Sequence, residues 1–250
     1  MFASHETIIS PRLILVTIKG TALKVEDALL AALSLPKTLL INLRLFPLST
    51  AIRLPIFVRA GSRVNICRGG VVLEGKPRPG LIRMGFNRGS FGVGESRTLS
   101  FHVEEGGVCR FSGTASFAAG DSVFVGREGE LFLGDGFTAN AGLILSCGNH
   151  VEFGANCMLG WSCTVIDGDG HKTSTQEKDS SIVIGDHVWL AAETAVLKGS
   201  KIPANSIVAF RSTVSGDFAR EGEGCLIASP KARVVRKGCV WGYGEGKEVR

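Results

Sequence analysis

Residues 181–214 read SIVIGDHVWLAAETAVLKGSKIPANSIVAFRSTV. Ile184, Leu190, Val196, Ile202, Val208 and Val214 are aliphatic and stand six apart. Four positions after each come Val188, Thr194, Ser200, Ser206, Ser212 and Phe218, small in four of the six cases. The register continues upstream through Phe153, Leu159 and Val165, with Cys157 and Cys163 four positions after the first two. A further run is Leu133, Ala139 and Leu145, and the step of eight from Leu145 to Phe153 predicts one longer turn.

A helix cannot carry this pattern, because its apolar face recurs every 3.5 or 3.6 residues. A period of six with Gly, Asp or Asn between the apolar positions suits short strands joined by tight turns. Three such units make a triangular coil of ~18 residues, and stacked coils bury one aliphatic column. Parallel pairing between coils satisfies the backbone. The chain holds 33 Gly among 250 residues, without a Gly-X-Y period, as many tight turns require.

The motifs IGDHVW (184–189), LKGSKIPANS (197–206) and the basic ARVVRKGCVW (232–241) make the chain resemble the hexapeptide-repeat acyltransferases. The match covers roughly 99–241. FPLSTAIRLPIFV (46–58) and VIDGDGHK (165–172) are most similar to enzymes that O-acetylate surface or capsular polysaccharides and their precursors. The resemblance implies an all-β solenoid, a left-handed parallel β-helix. The left hand comes only from the resemblance, since it runs against the usual crossover rule. Three departures stand out. Ala191 replaces a customary Gly, Phe210 and Arg211 replace small residues, and Ser229-Pro230-Lys231-Ala232 carries its proline one place early.

The expected organisation is a cap region over 1–98 leading into the first coils. The β-helix follows over 99–219 with an active-site loop at 166–181, and then a C-terminal tail over 220–250. Ala22 to Leu35 has helical spacing, with Pro36 as a stop. Lys37 to Ala60 reads as a helical or irregular cap over the first coil, whose open end would expose edges and core.

The hexapeptide pattern stops at Asp167-Gly168-Asp169-Gly170-His171. A histidine there leaves the buried column and can face a cleft. Transfer to a sugar hydroxyl needs a base, and imidazole titrates near ~6.5. The resemblance makes His171 the catalytic base. Asp169 and Asp167 are both candidates to orient it, as a carboxylate on one ring nitrogen fixes the tautomer. A calcium loop is the other reading of Asp-x-Asp, but its twelfth position is Lys178 and not Glu. His187 reads as a turn residue. Trp189 is either ordinary packing or a wall of the acceptor site. Cys157 and Cys163 read as small buried hydrophobes, and His150 with Cys147 as a conceivable metal pair.

The implied donor is acetyl-CoA. Ala191, Ala192 and Ala209 are small enough to let pantetheine approach backbone amides. Arg233 and Arg236 match basic positions near CoA in the resembled family, with Lys198 a weaker candidate; otherwise they form a solvated basic tail. The family works as a homotrimer with its cleft between subunits.

Other classes remain beside this one. N-acetylation of an amino-sugar nucleotide would use the same base. A non-catalytic β-helix would bind a partner or a metal. Carbonic anhydrase chemistry would need three histidine ligands, and the chain has five histidines in all. Seven cysteines without Cys-x-x-Cys support neither a zinc ribbon nor a secreted disulfide framework, and no metal is expected. A net charge of +5 is too weak to argue for nucleic acid. The N-terminus lacks a basic n-region and carries Pro11 and Arg12 within its apolar run, so the expected place is the cytoplasm. Residues 28–73 hold Lys37, Arg44, Arg53, Arg59, Arg63 and Arg68 and no acid. With Leu39, Leu40, Ile41, Leu43, Leu45 and Phe46 beside them, Lys37 to Arg68 can dock near the inner face of a membrane or a lipid-linked acceptor, or the apolar residues can cap the first coil with the cations in water.

Overall fold

Three parallel sheets carry the chain, and successive strands visit them in turn. The computed structural model describes residues 29–87, 98–168 and 180–229. Strands β1 (Ile56–Val58), β4 (Ile82–Asn87), β7 (Ala115–Ala118), β10 (Phe137–Ala139), β13 (Met158–Leu159), β16 (Trp189–Leu190), β19 (Ile207–Val208) and β21 (Leu226–Ile227) form the first sheet. The second holds β2 (Arg63–Ile66), β5 (Ser100–Val103), β8 (Ser122–Val125), β11 (Ile144–Cys147), β14 (Thr164–Ile166), β17 (Ala195–Leu197) and β20 (Thr213–Val214). The third holds β3 (Val71–Leu73), β6 (Val108–Phe111), β9 (Glu130–Leu133), β12 (His150–Phe153), β15 (Ile182–Ile184) and β18 (Lys201–Ile202). This is a parallel β-helix, consistent with the left-handed hexapeptide solenoid.

The predicted column is the core. Ile184, Leu190, Val196, Ile202, Val208 and Val214 are all at most 2% exposed. Thr194, Ser200, Ser206 and Ser212 are buried at the corners, where small side chains fit beneath the next turn. The strict period holds only in the last coils. Ala195 pairs with Thr213, 18 residues on, but Ser100 pairs with Ser122 and Ser122 with Ile144, 22 residues on each time. The wider coils have four-residue strands that bury two side chains each, as Leu145 and Cys147 do in β11. The eight-residue step is therefore a longer strand, not a longer turn. A wider prism needs larger filling, and Phe101, Phe117, Phe137 and Phe153 supply it. Their rings follow one another through the core at 5.3, 5.5 and 5.1 Å between centroids, the outer two contacts T-shaped and the middle one tilted.

The solenoid starts at β1 and runs to β21, so its first coil lies well before residue 99 and its last strand lies beyond 219. The early coils escape the six-residue pattern because of strand width and long excursions. Arg63 pairs with Ser100 across 37 residues, and Thr164 with Ala195 across 31.

The cap is a helix, α1, covering 29–45 of the described residues, followed by the single turn α2 (Leu48–Ala51). Pro36 does not stop it. Proline removes one amide donor, and Pro36 lies on the exposed side, away from the face that anchors the helix. That anchoring face is polar. Ser34, Thr38 and Asn42 are buried, four residues apart. Four residues climb ~6 Å along a helix, and two residues advance ~6.6 Å along a strand. The three side chains therefore match alternate residues of the β1 edge. The Ala60 amide donates to Ser34 Oγ (3.0 Å), the Val58 amide to Thr38 Oγ1 (3.0 Å) and the Ile56 amide to Asn42 Oδ1 (3.1 Å). Asn42 Nδ2 returns a bond to the Ile56 carbonyl at 2.7 Å. The helix thus behaves as a further strand, while Ile41 and Leu45 plug the first coil.

Candidate functional site

Each corner of the prism is a two-residue turn stacked on the turns above and below it. At the corner between the first and second sheets, Leu159, Leu190, Val208 and Ile227 lie in register. The residues that follow them are Gly160, Ala191, Ala209 and Ala228, a continuous row of small side chains. The Gly160 amide donates to the Leu190 carbonyl, Ala191 to Val208 and Ala209 to Ile227, at 2.8–2.9 Å. A Cβ on Gly160 would lie 2.5 Å from the Ala192 nitrogen, so that position has to be glycine. Ala191 and Ala209 are thus neighbours in a row of small residues beside backbone, the candidate groove. Ala192 is 6% exposed and lies one position deeper, between Trp161 and Phe210 in the corner stack. Phe210 is half exposed beside the row, with the Arg211 guanidinium 5.1 Å from its ring centroid. Arg211 is paired in turn with Glu193.

Lys198 is not part of this groove. It lies at the opposite end of β17, at the corner between the second and third sheets. The 166–181 excursion leaves and returns at that same corner. The stem ends at Ser180, whose carbonyl accepts from the Gly199 amide at 3.2 Å. His171 and Asp169 lie outside the described residues, as do Arg233 and Arg236.

Asp167 is described, and its surroundings assign it a bond set. It is 1% exposed. One carboxylate oxygen accepts the Gly148 amide at 2.7 Å and the other accepts the Asn149 amide at 2.8 Å. It fastens the turn of the preceding coil beneath the loop stem. Asp186 does the same for the Ala155 amide and Asp135 for Thr114. Asp121 is the deepest of these. It accepts from Ala118 and Leu143, and burial pushes its carboxyl up to about 7 despite the amides that favour the charged form.

Trp189 projects outward from the first sheet and is 43% exposed. Register places it between Met158 and Ile207, with Leu226 beyond, in an outward apolar row. His187 is a turn residue, at φ 54°, with Nδ1 3.1 Å from Asn205 Oδ1. Asn156 and Asn205 occupy the same left-handed position in neighbouring coils, which suits Asn and His better than bulkier residues.

Cys157 and Cys163 are buried at corners, and burial pushes both thiols up to about 11. They donate to the carbonyls of Gly185 and Ala191. Cys147 points inward and His150 outward on adjacent strands, so they cannot share a metal. Among the described residues, no group of three or more His, Cys, Asp or Glu side chains is arranged to hold one.

Sequence reasoning missed a charged row on the outer face of the third sheet. Arg110 Nε bonds Glu130 at 2.7 Å, and His150 lies 3.8 Å from Glu130 and 3.4 Å from Glu152. The alternation of β6, β9 and β12 could have revealed it. A cavity of about 560 Å³ lies elsewhere, between α1 and the outer face of the first sheet, lined by Leu30, Phe57, Arg59, Arg83 and Phe86 among others. It belongs to the cap end and not to the loop stem.

No family model matches. A galactoside O-acetyltransferase of Lactococcus lactis is 33% identical over 126 residues, covering 46% of this chain and 58% of that enzyme. Among solved structures, the polySia-specific acetyltransferase NeuO is similar at a TM-score of 0.43 and 16% identity, over 76% of this chain and 93% of that one. The sequence relative is a sugar acetyltransferase. It supports the resemblance to hexapeptide-repeat acetyltransferases, over rather less than two thirds of the relative's length.

Proposed function

We propose that the protein is an O-acetyltransferase that moves an acetyl group from acetyl-CoA to a hydroxyl of a sugar or glycan precursor. One observation carries the reading. The six-residue repeat is interrupted between Ile166 and Ile182, an interval whose sequence holds Asp169 and His171, and the described stem of that interval lies one strand-length from the row Gly160, Ala191, Ala209 and Ala228. The partial identity to a galactoside O-acetyltransferase supports the same chemistry.

In this reading pantetheine lies along the small-residue row, where no side chain keeps it from the backbone. Arg233 and Arg236 hold the CoA phosphates by charge-assisted bonds. His171 accepts the acceptor hydroxyl's proton as that oxygen attacks the thioester carbonyl. The new C–O bond forms, the C–S bond breaks, and the imidazolium returns the proton to the departing thiolate. Asp169 orients the imidazole, while Asp167, buried at 1% exposure, holds two backbone amides of the preceding coil.

Loop stem and groove occupy different corners of one prism, separated by strands β14 and β17, a width of ~10 Å. A threefold assembly brings the loop corner of one subunit to the groove corner of the next. The apolar row Met158, Trp189, Ile207 and Leu226 supplies surface for that contact, with Trp189 within it as the acceptor wall. Such an enzyme acts in the cytoplasm, where its thioester donor is made.

The test is thiol release from acetyl-CoA in the presence of a galactoside or glycan acceptor, with mass spectrometry of the acceptor. Gain of one acetyl group supports the reading. Acetyl-CoA that neither binds nor turns over with any sugar acceptor overturns it.

A further inference from the structure

Helix α1 faces the wrong way for a soluble cap. Its polar residues, Ser34, Thr38 and Asn42, point into the protein. Its outward side carries Leu29, Leu33, Leu39, Leu40 and Leu43, each 47–65% exposed, and α2 adds Leu48 and Ile52 at 67% and 66%. At 100° per residue, Leu29, Leu33, Leu40 and Leu43 fall on one broad stripe. An apolar surface of this extent on a water-soluble protein marks an interaction site.

The occupant follows from the charges. Between residues 28 and 73 there are six basic residues and no acid. Lys37 is already committed, since its ammonium bonds the Ala60 and Ser62 carbonyls. Arg44 and Arg53 are exposed beside the leucine stripe and after α2. A second copy docked on this face would set these arginines against their own counterparts. An anionic bilayer would not: it accepts the leucines below the headgroups and pairs the arginines with lipid phosphates.

We propose that α1 and α2 form a membrane-docking face, with Leu33, Leu40, Leu43, Leu48 and Ile52 entering an anionic leaflet and Arg44 and Arg53 at its surface. No helix of the described residues is long and apolar enough to cross a membrane, so the contact is peripheral. It places the protein where glycans carried on lipid anchors are modified. The docking does not rest on the transferase reading, because none of these residues belongs to the groove or the loop.

Flotation of the full chain with vesicles of phosphatidylcholine and phosphatidylglycerol tests this, with pure phosphatidylcholine as the control. Wild type should float with the anionic vesicles only, and less as salt rises. Arg44→Glu with Arg53→Glu should reduce the bound fraction ~10-fold, since each cation matters at the surface. Leu33→Ser, Leu40→Ser and Leu43→Ser together should abolish binding while the circular dichroism stays that of a folded β protein. His171→Ala should float like wild type, so a failed enzyme assay and a failed docking assay remain separate results. No flotation with anionic vesicles, or flotation unchanged by the arginine pair, overturns the proposal. So does a leucine variant whose only change is a smaller assembly or a lower melting point, which would mean that this protein's own chain covers the face.

Discussion

Asp167 and Asp169 are two residues apart in sequence and have different work in this account. Asp167 is sealed beneath the loop stem and holds two amides of the preceding coil. Asp167→Asn replaces one acceptor oxygen with a donor that faces an amide, so it should lower stability by about 1–3 kcal/mol and lower kcat little. Asp169→Asn should leave the melting point unchanged and lower kcat. Thermal melts and steady-state rates on both variants separate them, and the reverse pattern would exchange their roles. Spacing alone left both open, because Asp-x-Asp says nothing of which carboxylate turns inward.

Asp121 makes a pH prediction. Its ordinary carboxyl pKa is 3.8, and burial lifts the folded value to about 7. The folded protein keeps a proton that the unfolded chain releases, so this contribution to stability is full below the unfolded pKa and fades as pH rises through the folded one. Glu130, held low by Arg110, and Asp135, held low by the Thr114 amide and hydroxyl, act oppositely, and their contribution is lost only as pH falls through their own lowered values. From about pH 5 to about pH 8 the stability of wild type should therefore fall, and Asp121→Asn should flatten that fall. A denaturation midpoint that rises across the interval, or a slope the substitution leaves untouched, would contradict this.

At the scale of elements, the cap helix carries the clearest physics. Asn42 saturates both the amide and the carbonyl of Ile56, each buried. Asn42→Ala orphans the two groups at about 1–3 kcal/mol each. Denaturant unfolding should show that loss, and a change below about 0.5 kcal/mol would mean that water replaces the side chain. The helix was legible from its spacing only up to Leu35, because Pro36 reads as a stop that the structure runs through to residue 45, and the direction it faces was not legible. Leucines beside cations read as a plug with charged flanks, whereas the structure turns Ser34, Thr38 and Asn42 inward because a strand edge needs partners more than it needs oil. The repeat shows the complementary case. Every aliphatic residue of the six-residue series from Ile184 to Val214 is in the core, because 18-residue coils leave one inward position per short strand. The wider coils hid the same architecture, since a four-residue strand moves the period away from six. Of the site, the spacing shows that Ala191 and Ala209 share one corner, while it cannot show that Lys198 lies at another, because a corner cannot be told from a linear spacing.

For the whole molecule, the proposed function makes assembly part of catalysis, because loop stem and small-residue row lie at different corners of the prism. If the proposed threefold assembly forms, Ile207→Glu with Leu226→Glu should convert it to monomers in sedimentation velocity and abolish transfer together. Monomers that remain active would show that one prism holds a complete site. In the proposed reaction, His171 at the break in the six-residue repeat supplies the base for acetyl transfer. It is tested most directly by following thiol release from acetyl-CoA with a saturating galactoside acceptor, for wild type and His171→Ala at equal folded concentration. The account predicts acceptor-dependent release that falls ~10²–10⁴-fold in the variant with the melting point unchanged. A variant that keeps more than about a third of the wild-type kcat, against the loss expected for a general base, would contradict it.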